Sequence, residues 1–125
     1  MMLIAMLALA AQAASTPDGW VEFGRNDQLT QSIDARSIRV EGDRRTLRHR
    51  AVFSRPMPDG TVSVTFDVEV NCGRRTITLL GGATRNGAGE TIQDHQLPAS
   101  ARQAEAPESE AQEAMLQLAC SLSSN

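Results

Sequence analysis

The sequence predicts an α+β domain: an antiparallel β-sheet of five or six strands in a meander, with a C-terminal α-helix packed on one face and tied by one disulfide. Three observations carry this. From Val62 to Cys72, the residues Val62, Val64, Phe66, Val68, Val70 and Cys72 alternate without a break with Ser63, Thr65, Asp67, Glu69 and Asn71. Strict period two marks a strand with one buried face and one wet face. Near the C-terminus, Ala111, Met115, Leu118, Ala119 and Leu122 recur at helical spacing. The two cysteines, Cys72 and Cys120, fall one on each of these elements.

In chain order, Met1 to Ala13 is apolar and uncharged and closes on the small-x-small step Ala11-Gln12-Ala13. It reads as a signal peptide over residues 1–13, although no Lys or Arg precedes the apolar run. A bilayer span needs ~20 apolar residues, so this stretch is too short for a stable anchor. Thr16-Pro17-Asp18-Gly19 reads as a turn, and residues 14–125 as a single domain. Trp20–Arg25, Leu29–Asp34 and Ser37–Glu41 are short strand candidates separated by turn residues at Asn26-Asp27 and within the Asp34–Ser37 step. After Glu41-Gly42-Asp43, Arg44–Ser54 is a second long strand. Leu47, His49, Ala51 and Phe53 share one face of it, and Arg44, Thr46, Arg48 and Arg50 the other. The stretch Arg55–Thr61, with two prolines and a glycine, reads as the hairpin loop to Val62–Cys72. Arg75–Leu80 is a further strand, Gly81–Gly89 with four glycines reads as a loop, and Thr91–Leu97 as a last strand. From Ala99 the composition turns to Ala, Glu, Gln and Ser, which favours helix. Pro107 interrupts it, and Ser109-x-x-Gln112 fits a capping box.

At 125 residues the chain holds one modest core. It carries 12 Arg and no Lys against 15 acidic residues, a net charge of −3. That balance excludes a strongly basic nucleic-acid binder, and no aromatics interleave with the arginines as a single-strand binder requires. No later stretch is long and apolar enough to be a transmembrane segment. Two cysteines in an exported chain usually form one disulfide; two free thiols or half of a metal site are the other readings. The parity of Cys72 and the helical position of Cys120 favour a Cys72–Cys120 bond. No C-x-x-C pair or His cluster points to a metal, and no motif points to a cofactor.

Ser37, His49 and Asp67 could be drawn as a nucleophilic triad, but strand parity sends His49 inward and Asp67 outward. Asp94-His95 are neighbours on a strand and point to opposite faces. The glycine stretch lacks the Lys-Ser/Thr ending of a phosphate-binding loop. Arg36, Arg39, Arg44, Arg45, Arg48, Arg50 and Arg55 crowd residues 36–55. They read either as a solvated strand face paired with acids or as a strip that grips an anionic partner. If the two long strands form a hairpin with both apolar sets on one face, opposed residue numbers must sum to an odd value, for example 115 or 117. Asp67 then meets Arg48 or Arg50. Arg36, Arg39, Arg45 and Arg55 are left as candidates for a partner's anionic groups.

The order of Gly19-Trp20, Ile33-Asp34-Ala35-Arg36-Ser37-Ile38, the paired long strands ending in Asn71-Cys72, Arg74-Arg75 and the late Cys120 resembles the surface-adhesin protein E family of small exported bacterial domains. The resemblance implies an antiparallel sheet with a C-terminal helix held by a disulfide, and a binding role. The expected function is a non-enzymatic periplasmic or secreted domain acting by binding or as an envelope accessory, with an unknown protein or an anionic glycan as partner. A small periplasmic enzyme or inhibitor, and a structural subunit of an envelope complex, are the alternatives.

Overall fold

The computed structural model describes residues 19–122; the expected signal peptide over residues 1–13 and the Thr16-Pro17-Asp18 stretch lie outside the described residues. Among the described residues, eight strands form one antiparallel sheet followed by one helix. The strands are β1 (Trp20–Arg25), β2 (Leu29–Asp34), β3 (Arg39–Glu41), β4 (Arg44–Phe53), β5 (Thr61–Asn71), β6 (Thr76–Asn86), β7 (Thr91–Gln96) and β8 (Ala104–Glu105). Helix α1 spans Glu110–Ser121. The sheet runs β1-β2-β4-β5-β6-β7, with β3 added on β4 and β8 on β6. The α+β class and the meander are as expected; the strand count, five or six in the expectation, is higher. The added strand β8 is an Ala-Glu pair that composition assigns to helix; it is extended because it pairs with Ile77 and Thr78 of β6.

The hairpin of β4 and β5 sets the two faces of the sheet. Leu47 lies opposite Val68, His49 opposite Phe66 and Arg48 opposite Asp67. These numbers sum to 115, an odd value, as burial of both apolar sets requires. One face therefore collects Val21, Ile33, Leu47, Ala51, Val68 and Val70, all buried. The other collects Thr46, Arg48, Arg50, Thr65, Asp67 and Glu69, and no element of the described residues packs on it.

The glycine stretch departs from the loop reading. β6 continues through Gly81 and Gly82 to Asn86, with a register shift where Asp67 faces Gly81 and Val68 faces Leu79. A Cβ at Gly81 would stand 2.6 Å from the His95 carbonyl oxygen, and one at Gly82 2.9 Å from the Thr65 carbonyl oxygen. The glycines let neighbouring backbones close on this strand rather than breaking it.

Helix α1 closes the apolar face. The Ser109 hydroxyl accepts from the Gln112 N–H at 3.1 Å, and the Gln112 side-chain oxygen accepts from the Glu108 N–H at 2.6 Å. The capping box is thus present, with its return bond one residue upstream of the usual position. Between Pro98 and Glu110 the expected helical composition gives a 3-10 turn, β8 and irregular chain; the helix begins only after Pro107. The helix buries Met115, Leu116 and Ala119 against Ile33, Ile38, Leu47, Val68 and Val70. Cys72, just past the end of β5, is bonded to Cys120 on the helix, with Cα atoms 5.8 Å apart. That separation lies within the usual range for a disulfide.

Candidate functional site

The open face owes its geometry to the step between β2 and β3. Both strands flank β4 on the same side: β2 pairs with residues 49–53 and β3 with residues 44–46. The gap between them is filled by a single 3-10 turn, Ala35–Ser37. The Asp34 carboxylate accepts from the Arg36 N–H at 3.0 Å and holds the turn closed. The Ser37 hydroxyl donates to the Asp34 carbonyl at 2.7 Å and accepts from the Arg48 N–H at 3.0 Å. It thereby supplies the hydrogen bond that β4 lacks where its partner changes. Ile38 then turns inward and is buried. The Asp34-x-x-Ser37-Ile38 sequence is a device for joining two strands to one.

This turn raises Arg36 beside the sheet. The Arg36 stem crosses Gly19, where a Cβ would stand 2.8 Å from the Arg36 Cγ, and Gly19 has φ of +92°. Both facts demand glycine at the mouth of β1. Arg39 lies opposite Thr46, so it shares the open face. Arg36, Arg39 and Arg48, with Asp34, Ser37, Thr46 and Asp67, line a shallow groove of about 490 Å³, within the range of small-ligand sites. Arg36 and Arg39 are exposed. Arg48 stands 3.8 Å from Asp67 through its Nε, and Arg44 lies 3.8 Å from both Glu41 and Glu69. Pairs at this exposure contribute ~0.2–1 kcal/mol and serve register more than stability. Further along the same face, the Arg50 guanidinium lies 4.0 Å over the Trp20 ring.

Two of the four arginines proposed from sequence stand elsewhere. Arg45 has the parity of Leu47 and His49 and lies on the helix side of β4. Its Nη1 donates to the Gly42 carbonyl at 2.8 Å, and its Nε is buried without a hydrogen-bond partner. Arg55 is exposed in the β4–β5 loop, past the opposite end of β4 from Arg44. The structure brings together Arg36 and Arg39 and adds Arg48. The parity of Arg45 is readable in the sequence; the partner change along β4, which gathers the other three, is not.

The remaining candidates are dispersed as parity requires. Ser37 is engaged in the turn, His49 faces the helix side and Asp67 the open side. Asp94 and His95 lie opposite Ala83 and Gly82, on different faces. Among the described residues no group of three or more His, Cys, Asp or Glu side chains forms a metal site. No helix of the described residues is long and apolar enough to cross a membrane.

His49 sits between Phe23 and Phe66, each ring centroid 5.2 Å away, and its Nε2 lies 3.0 Å from the Gln31 side-chain oxygen. The neutral ring donates this bond. Burial pushes its pKa down from 6.5 to about 4. The folded ring therefore stays neutral while the unfolded chain takes up a proton below pH ~6.5. Stability is full above that value, falls as the pH drops toward 4, and levels off below. The expected loss between pH 7 and 4.5 is about 2 kcal/mol, and His49→Leu should abolish that share of it. Urea titrations of both proteins at the two pH values check this; equal losses would place the acid sensitivity elsewhere.

No curated protein and no solved structure matches the chain. The sequence model of the family described as surface-adhesin protein E matches residues 20–121. The match takes in β1 with Trp20, the Asp34–Ile38 joint, the β4–β5 hairpin and both cysteines, the elements that build the groove and pin the helix. The chain belongs to the surface-adhesin protein E family.

Proposed function

We propose that this protein is a non-enzymatic binding domain, exported to the periplasm or secreted with its mature chain starting at Ala14, and that it grips an anionic partner in the groove of its open face. The observation that carries the reading is the convergence of Arg36, Arg39 and Arg48 on one groove, produced by the Asp34–Ile38 joint. Family membership supports a binding role, and the apolar first residues followed by Ala11-Gln12-Ala13 support export. Arginine suits an anion site because its planar fork donates two parallel hydrogen bonds to a carboxylate or sulfate and keeps its charge at any biological pH.

Binding of a heparin oligosaccharide to the mature chain tests this by titration calorimetry. The wild type is expected to bind with an affinity that falls as salt rises. Arg36→Ala with Arg39→Ala should lower the affinity tenfold or more, about 1.5–3 kcal/mol for each charged hydrogen bond lost. Arg45→Ala with Arg55→Ala should leave it within about twofold. Loss of binding in the second pair with retention in the first would refute the assignment.

A further inference from the structure

The groove is not purely cationic, and this narrows its partner. Asp34 and Asp67 line it together with Arg36, Arg39, Arg48 and Thr46. Glu69 lies directly opposite Thr46, and Asp67 directly opposite Arg48. The face is a grid in which strands ~4.8 Å apart carry donors and acceptors side by side. Much of its hydrogen-bonding capacity is unspent. Arg39 and Thr46 make no side-chain hydrogen bond or ion pair among the described residues. Arg48 reaches Asp67 only through its Nε, at 3.8 Å. Asp67 receives one long contact of 3.5 Å from the Gln96 amide.

A polyanion such as an acidic peptide meets this surface badly, because Asp34 and Asp67 line the same groove as the arginines, and like charges brought together are penalised. An acidic sugar meets it well. It carries one carboxylate or sulfate for the arginines and several hydroxyls, each of which can donate to a carboxylate and accept from an arginine or Thr46. We infer, resting on the reading of this groove as an anion site, that its partner is an acidic saccharide, with Arg36 and Arg39 on the acid group and Asp67 and Thr46 on the ring hydroxyls. Asp67 is then a specificity residue: it accepts from the sugar and turns away a purely anionic chain.

The test titrates the mature chain, Asp67→Asn and Thr46→Val with a hyaluronan oligosaccharide, which carries one carboxylate per disaccharide among several hydroxyls, and with an oligoglutamate peptide of matched net charge. The wild type should prefer the saccharide. Asp67→Asn should weaken saccharide binding about tenfold, the loss of one charged acceptor, while leaving peptide binding unchanged or tighter. Thr46→Val should weaken the saccharide alone. If Asp67→Asn tightens both ligands, or changes neither, the face is a general electrostatic surface and the inference is wrong. Tighter wild-type binding of the peptide would assign the groove to an acidic protein and equally overturn it. Binding of neither ligand by the wild type would remove the underlying anion-site reading itself, a failure distinct from the others.

Discussion

Cys120→Ser is expected to lower the unfolding free energy by about 2–4 kcal/mol, a large share of the 5–15 kcal/mol typical of a small domain. The bond joins residues 48 apart in sequence, and closing a loop of that length in the unfolded chain gives an upper guide of about 4 kcal/mol in the chain-entropy model. It also holds the helix where the helix is needed. Helix α1 is the one lid over the apolar face among the described residues, and its docking surface is short. Both Cys120→Ser and reduction of the wild type should therefore shift the denaturant midpoint by the same amount, and mass spectrometry of oxidised protein should find no free thiol. A variant within about 0.5 kcal/mol of wild type would mean that apolar packing alone fixes the helix.

Leu116→Ala is expected to cost about 3 kcal/mol, within the range for truncating a fully buried leucine. Leu116 is 1% exposed and lies in the cluster with Ile33, Leu47, Val68 and Val70. Truncation removes its transfer energy and leaves a cavity that a disulfide-pinned helix cannot collapse into. Leu118, which the helical spacing nominates instead, is half-buried at the margin of the core. Its truncation should cost about 1 kcal/mol, in proportion to the smaller apolar area it buries. Thermal or urea unfolding of the pair measures the contrast. Equal losses would place Leu118 as deep in the core as Leu116.

That contrast shows where the sequence is legible. Strands with one wet face print their burial as alternation, so β4 and β5 and their faces can be read from residue order alone, and their register of 115 is one of the odd values that parity allows. The disulfide follows from the parity of Cys72 and the position of Cys120. The helix and most of its buried stripe are readable, with Met115 and Ala119 in the core and Leu118 and Leu122 at its margin, but the place of Leu116 at the centre is not. A stripe of Ala and Leu spans more than one face, and contacts with β1, β2 and β5 select the face carrying Met115, Leu116 and Ala119. Gly81 and Gly82 mislead because glycine serves both turns and close backbone approach, and only the neighbouring strands decide which. β8 misleads because pairing with β6 sets its conformation against its own propensity. In the site, Arg36 and Arg39 are legible as arginines beside a turn. Their meeting with Arg48 depends on two strands sharing β4, a tertiary fact with no local signature.

Whether the open face of the sheet is the binding surface is decided by mapping backbone amide shifts of the mature, oxidised chain as a heparin oligosaccharide is added. Binding there should gather the perturbations on Asp34–Arg39, Thr46, Arg48 and Asp67 and leave helix α1 unmoved. Perturbations concentrated on helix α1 and the apolar face around Phe66 and Leu79, with the Asp34–Arg39 joint silent, would contradict it.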